Sequence, residues 1–442
     1  MNHGISSLRV VVCLLGLCLV ASGTSTAQAA ESPATWSKAH LDELVALYID
    51  LHQAPELSKH EVATGQRIGA ELTKAGIEAT TGVGGTGVVG ILKNGPGPTV
   101  MVRTDLDALP VTEQTGLPYA SKVIVHDEQR NEVGVMHACG HDIHMASLVG
   151  VARYLASHRD EWSGTVMFIG QPAEERGAGA RAMLEDGLFT RFPKPDYALA
   201  LHVDSSMPTG KIGFRPGPNM ANVDSVDITL KGRGGHGAYP HMTVDPVVMA
   251  AYLIVDLQSI VAREIGPTDP AVITVGSIHG GSKHNVIGDT CHLQLTVRSY
   301  TDEVRKHLLA AIRRKSLAVA QSFRAPEPVI ALSEGTPALS NDPALVERVV
   351  PTFRRVLGDD NVLPAEQTMG GEDFSEYGRA GVPIFMYRLG SVEQERLDRF
   401  RQLGVDPPTL HSPLYYPEPR ETLRVGVTTM AAAVLDLLPK AK

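Results

Sequence analysis

Thr99-Val-Met-Val-Arg103-Thr-Asp105-Leu-Asp107 is an apolar, β-branched run that ends abruptly in polar residues. Two later stretches share this form. Val166-Met-Phe-Ile-Gly170 runs into Gln171-Pro-Ala-Glu174-Glu175, and Tyr197-Ala-Leu-Ala-Leu201 runs into His202. Each reads as a buried strand whose carboxyl end carries metal-competent side chains. A further β-branched stretch covers 86–92. Residues 41–51, 62–72 and 143–155 show helical spacing of apolar residues, the last with Asp142 as its expected N-cap. Strands alternating with helices predict an α/β fold, a mainly parallel sheet with helices on both faces. In such a sheet ligands bind beyond the carboxyl ends of the strands. One such ending is usually a strand meeting a solvated loop; three together point to one crevice.

The pattern changes around Pro216 and Pro218. Strand-like stretches at 223–230, 272–278 and 291–297 and helical ones at 246–261 and 304–323 follow in β-α-β-β-α order. That order suits a small α+β sheet with two helices on one face. Beyond Pro326 and Pro328 the alternation resumes, with a strand at 383–387 and helices at 344–356 and 424–438. The expected organisation is a catalytic domain at 30–217 and 325–442, interrupted by a smaller domain at 218–324.

The chain has 442 residues, 43% hydrophobic and 20% charged, which is ordinary for a globular protein long enough for two domains. Its net charge of −9 and lack of a long basic run give no electrostatic case for nucleic acid. Residues 1–29 read as an export leader: Arg9, an apolar run at 10–20, then Ala27-Gln28-Ala29 as the cleavage pattern. The apolar run falls short of the roughly 20 residues that span a bilayer, so no stable membrane insertion is expected after cleavage. Leu17 stands before Cys18 where a lipoprotein signal wants a small residue. The mature protein is expected in the periplasm or secreted. It keeps Cys139 and Cys291, for which an oxidising compartment favours a disulfide.

The setting of Cys139 argues against that pairing. In Met136-His137-Ala-Cys139-Gly-His141-Asp142-Ile-His144, the glycine lets a thiolate and an imidazole turn to the same side. Both are good ligands for borderline metals. A lone His or buried Cys is more often structural, but here they occur together. Glu174 and Glu175 follow a strand and a proline, so one carboxylate can ligate metal while its neighbour acts as general base. A bare Glu-Glu pair is otherwise usually solvated. His411 stands in a loop stiffened by Pro407, Pro408 and Pro413.

These motifs, with Gly234-Gly-His-Gly-Ala-Tyr-Pro-His241 and Met369-Gly-Gly-Glu-Asp-Phe374, resemble subfamily D of the M20 peptidases and amidohydrolases. That branch includes hippurate hydrolases, N-acyl-amino-acid amidohydrolases and auxin-conjugate hydrolases. The resemblance runs from about residue 40 to about 434, with five motifs in order. It implies a ferredoxin-like lid and dimerisation domain, a homodimer or higher homo-oligomer, and two divalent metal ions per chain, Zn, Mn, Co or Ni. It assigns Cys139, His141, Glu175, His202 and His411 as ligands, with Cys139 bridging, Glu174 as general base and Asp105 as a supporting residue. Arg103 stands where other branches place a metal-binding His. His236 matches a lid histidine that reaches the partner's active site in family dimers. Asn285 and Arg298 match positions that hold the substrate or its carboxylate. Two departures are Asn285-Val-Ile-Gly288 for Asn-Val-Ile-Pro, and Leu295-Thr-Val-Arg298 for Gly-Thr-x-Arg. Residues 123–135 look like an added hairpin leading into Cys139, which either shapes the pocket rim or is a solvated turn with no role.

The implied function is hydrolysis of N-acyl or N-aroyl amino acids by a metal-activated water, with Glu174 as base. A dipeptidase or carboxypeptidase of the same family is the alternative. A non-catalytic exported metal- or solute-binding protein is the remote one, and it has no use for a base beside the ligands.

Overall fold

A computed structural model describes residues 1–5, 7, 31–126 and 130–440. The leader's apolar run and its Ala27-Gln28-Ala29 end lie outside the described residues. So does the tip of the added hairpin, whose arms Ile124–His126 and Glu132–Gly134 pair antiparallel. Residues from Ser32 onward cluster as one compact unit.

The strand Thr99–Asp105 lies between Gly164–Gln171 and Tyr197–Pro208 and runs parallel to both. Ile384–Val392 extends the sheet, parallel to Tyr197–Pro208. Asp105 pairs with Gln171 and Arg103 with Ala200, so the three predicted strand endings emerge side by side. Alternate residues serve opposite faces. Val100, Val102, Val166, Phe168, Leu199 and Leu201 join an apolar layer that includes residues of the helices His141–Ser157 and Pro419–Leu437. Met101, Met167, Ile169, Ala198 and Ala200 join the opposite layer, with Met183, Phe374 and Tyr377. Burial on both faces explains the near-continuous apolar runs. Antiparallel Gly87–Asn94 and Glu78–Val83 finish one edge; the three-residue strands Ile212–Phe214 and Val362–Pro364 finish the other.

A second, antiparallel sheet has the order Ala271–Gly280, Thr290–Ser299, Asn222–Lys231, Val329–Thr336. Asn222–Lys231 alternates strictly between buried and half-buried residues until its last. Helices Pro246–Glu264 and Asp302–Ser322 close over the apolar face, burying Met249, Leu253, Leu257, Leu308 and Ile312 against Ile228, Leu293 and Leu295. The last strand completes a β-α-β-β-α-β, ferredoxin-like order and comes from beyond residue 324, where the sequence reading ended the inserted segment.

Asp142 is not the N-cap it was expected to be. Gly140, at φ 76°, precedes the helix His141–Ser157, and Asp142 falls inside its first turn. Its carboxylate is engaged by His52 Nδ1 at 2.6 Å, while His52 Nε2 meets Glu113 at 3.1 Å. Burial opposes a charged imidazole, but the Asp142 and Glu113 carboxylates outweigh it and raise His52 to about 9. A raised folded-state pKa stabilises the fold fully below about 6.5, and that stability is lost as pH rises through about 9. His52→Gln is therefore expected to destabilise by on the order of 3 kcal/mol at pH 6 and by much less above pH 9. Paired denaturant titrations at the two pH values check this; an equal loss at both contradicts it.

Candidate active site

The strand ends and the Gly140 turn bring the predicted ligands together. Cys139 Sγ lies 3.5 Å from His202 Nε2 and 3.3 Å from His411 Nε2. His411 Nε2 is 3.5 Å and His141 Nε2 3.8 Å from Glu175 Oε1. Cys139, His141 and His202 form one set of converging ligand atoms, and Cys139, Glu175 and His411 another. Cys139 belongs to both.

Two of the three imidazoles are oriented from behind, and the third is placed by its backbone. His141 Nδ1 donates to the Asp107 carbonyl at 2.8 Å, and His202 Nδ1 to the Val203 carbonyl at 2.8 Å, leaving both Nε2 atoms for the centre. His411 sits in the left-handed region at φ 69°, and its N–H donates to the Ala138 carbonyl beside Cys139. Non-glycine residues take that conformation rarely, and they cluster at functional sites. Nε2 of His141 and Oε1 of Glu175 are buried with no hydrogen-bond partner among the described residues. Orphaned donor atoms on a converging S, N and O set are what a divalent cation satisfies, so these residues fit one. Burial, then the nearby Glu175, Glu174 and Asp105 carboxylates, push the Cys139 thiol well above its ordinary range. A bound cation would reverse that preference. Cys139 and Cys291 are both free, Cys291 inside the core of the second sheet, so the disulfide favoured by compartment alone does not form.

Behind this cluster lies a buried ionic network. Arg103 Nη1 donates to Asp105 at 2.9 Å, Nη2 to Glu372 at 2.8 Å and Asp373 at 3.1 Å, and Nε to Gln171 at 3.0 Å. Asp105 also accepts from His144 Nδ1 at 2.7 Å, and His144 Nε2 accepts the Val203 N–H. Arg103 thus points away from the ligand set and holds carboxylates, not metal. Glu174 lies between the two systems, with Oε2 4.0 Å from His141 Nε2 and ligand-type oxygens near Glu372 and Asp373. Burial, followed by Glu372, Glu175 and Asp373, holds its carboxyl well above the usual range, with Arg103 offsetting part of the rise. Burial also raises Glu175, to about 7 against the opposing pull of His141.

A cavity of about 810 Å³ opens over the cluster. Cys139, Glu174, Glu175, His202 and His411 line one side, and Val223, Ser225, Thr296 and Arg298 of the second sheet line the other. This volume suits a small molecule.

A model of peptidase family M20/M25/M40 matches residues 101–399. A thermostable carboxypeptidase of Saccharolobus solfataricus is 37% identical over 359 residues, covering 80% of this chain and 87% of its own. An N-acetyl-L-cysteine deacetylase of Bacillus subtilis is 38% identical over 339 residues, 76% of this chain and 77% of the relative. The chain belongs to peptidase family M20. Among solved structures, a dinuclear metal-binding M20 peptidase of Bacillus subtilis superposes with a TM-score of 0.73 at 32% identity, over 91% of this chain and 99% of that one. With that family, the described site is that of a metal-dependent amide hydrolase.

Within this M20 site, all five expected ligands, Glu174 and Asp105 come together, and Arg298 reaches the cavity wall. Arg298 is held there by Nη1 on the Met369 carbonyl and Nε on Thr296. His236 and Asn285 do not join them. Both are exposed and absent from the described cavity lining; the Asn285 carbonyl accepts the N–H of Gly237, next to His236. Glu372 and Asp373 stand in the Met369–Phe374 motif, but nothing local in it marks them as partners of Arg103. Nothing local marks Glu61 either, an isolated acid in a polar stretch.

Proposed function

We propose that this M20 enzyme hydrolyses the amide bond of N-acyl or N-aroyl amino acids, with two divalent ions held by Cys139, His141, Glu175, His202 and His411. The observation that carries this reading is one cavity with Cys139, Glu174, Glu175, His202 and His411 on one wall and Arg298 on the other. Zn, Mn, Co and Ni all suit Cys, His and carboxylate donors. When bound, such ions polarise a carbonyl and make water a better nucleophile at neutral pH. Glu174 takes a proton from the attacking water, whose oxygen bonds to the carbonyl carbon. As the C–N bond breaks, Glu174 passes that proton to the leaving nitrogen, giving a carboxylic acid and an amine. Arg298 pairs with the carboxylate of the amino-acid half. Asn285 is exposed beside Gly237 and outside this cavity, so a substrate contact from it belongs, like that of His236, to a partner's cavity.

The carboxypeptidase relatives support a second reading, cleavage of a C-terminal peptide bond, which uses the same carboxylate grip. A panel of N-acetyl and N-benzoyl amino acids run beside dipeptides and blocked peptides separates the two. The first reading expects a higher kcat/KM on the acyl amino acids; preference for the peptides overturns it. The leader pattern at 1–29 supports export to the periplasm or beyond.

A homodimer or higher homo-oligomer built through the second sheet accounts for the position of His236. The helix Pro246–Glu264 exposes Val247, Val248, Tyr252 and Val255, and Ala271–Gly280 is an edge strand. An apolar face beside an unpaired edge suits a second copy. His236 of one protomer then reaches the cavity of the other and steadies the developing oxyanion. His236→Ala is expected to lose about a hundredfold in kcat or more with metal content unchanged. Mixed with a base-dead Glu174→Gln protein, it should regain activity, since a mixed dimer has one complete site. No recovery after proven subunit exchange removes His236 from catalysis across the interface.

A further inference from the structure

Glu61 is fully buried, yet no ligand or substrate role falls to it. Its Oε1 accepts the Ala173 N–H at 2.8 Å and the Lys59 N–H at 2.9 Å, and its Oε2 accepts the Thr86 hydroxyl at 2.6 Å. Lys59 and Ala173 have φ values of 70° and 49°, two of five non-glycine residues at positive φ among the described residues. One carboxylate oxygen therefore fastens two residues in a conformation that side chains disfavour.

Ala173 is where the chain leaves the strand Gly164–Gln171 and turns into Glu174 and Glu175. Its left-handed turn sends both carboxylates back toward Cys139 and His141. The segment around Glu61 is keyed to the same place at further points. Ser58 Oγ donates to Asp107 Oδ2 at 2.6 Å, and that oxygen also accepts the Glu175 N–H at 3.0 Å. The Glu56 carbonyl accepts the Ala108 N–H at 2.8 Å.

We propose that Glu61 is a positioning residue that clamps Ala173 in its left-handed turn and so sets the aim of Glu174 and Glu175. This rests on the assignment of Glu174 as base and Glu175 as ligand. Without the clamp, Ala173 relaxes toward a negative φ and both carboxylates swing off the centre. A displacement of about an ångström at a reacting group can cost on the order of a hundredfold in rate. Loss of an outer partner of a metal site typically costs about ten- to a hundredfold in metal affinity.

The test uses full-length enzyme and N-acetyl amino acid turnover, with Zn²⁺ or Mn²⁺ titration of metal-free protein as a second readout. Folded Glu61→Ala is expected to lose at least about tenfold in kcat with little change in KM, and to bind metal about tenfold more weakly. Glu61→Gln should restore most of both, because its amide oxygen still accepts two N–H groups. Glycine adopts positive φ freely, so adding Ala173→Gly to Glu61→Ala should recover part of kcat. Should Glu61→Ala fail to fold, Glu61→Asp carries the test, since it keeps the charge but shortens the reach by one methylene and should lower kcat and metal affinity together. Wild-type kcat and metal affinity in folded Glu61→Ala or Glu61→Asp overturn the proposal. So does a loss that Ala173→Gly leaves untouched. An unimpaired Glu174→Gln would instead overturn the underlying base assignment, whatever Glu61 does.

Discussion

Glu174→Gln is expected to keep its metal and lose about a hundredfold or more of kcat, the usual scale for a positioned acid–base group. The amide is close in shape, and the ligand atoms lie on other residues. It cannot take up the proton released by water. Substrate binding should change little, so the loss falls on kcat and leaves KM near its original value. Glu175→Gln is expected to behave differently. Its Oε1 is the buried, unpartnered atom between His141 and His411, and a neutral amide is a poorer ligand for a divalent ion. Metal should be lost along with activity. Metal content and steady-state kinetics on the two variants check the assignment, and the reverse pattern swaps the roles.

Arg103→Met is expected to be among the most destabilising single changes in the protein. The guanidinium is buried and donates to Asp105, Glu372, Asp373 and Gln171. Methionine fills much of the volume but removes the one guanidinium that Asp105, Glu372 and Asp373 share. Breaking a buried ion pair from one side typically costs about 3–5 kcal/mol. The fall in denaturant midpoint measures it. Arg103→Lys should recover only part, because an ammonium cannot match four acceptors spread around a planar fork. Stability equal to wild type in Arg103→Met would mean that the carboxylates are held by other groups.

Legibility in the sequence followed the strength of the local pattern. The three strands behind the site could be read because burial on both faces makes them long and apolar, and their polar ends stand out. Cys139-Gly-His141 could be read because a short spacer around glycine restricts where the thiol and the imidazole point. The strands Ile212–Phe214 and Val362–Pro364 at one end of the sheet are three residues long, too short to show a period. Val329–Thr336 carries Ser-Glu-Gly and follows two prolines, so its place in the second sheet depends on pairing with Asn222–Lys231. The first turn of His141–Ser157 is misleading in sequence because Asp142 has cap chemistry, while Gly140 supplies the left-handed backbone and His52 claims the carboxylate.

Among site residues, the proposed ligands carry their chemistry in their type and spacing, but their supports do not. Arg103 lies 269 residues from Glu372 in the chain. Glu61 lies 112 from Ala173 and reads locally like any solvated acid. Such partners are fixed by the fold alone, and no spacing rule links them.

Amide hydrolysis by this chain should depend on ions held by its converging Cys, His and Glu atoms. The most direct measurement is the rate of N-acetyl amino acid hydrolysis as a divalent metal is titrated into chelated, metal-free enzyme. Turnover should be absent without metal and rise to a plateau at two equivalents per chain. Full turnover by the metal-free protein, at a rate the added metal does not change, would contradict it.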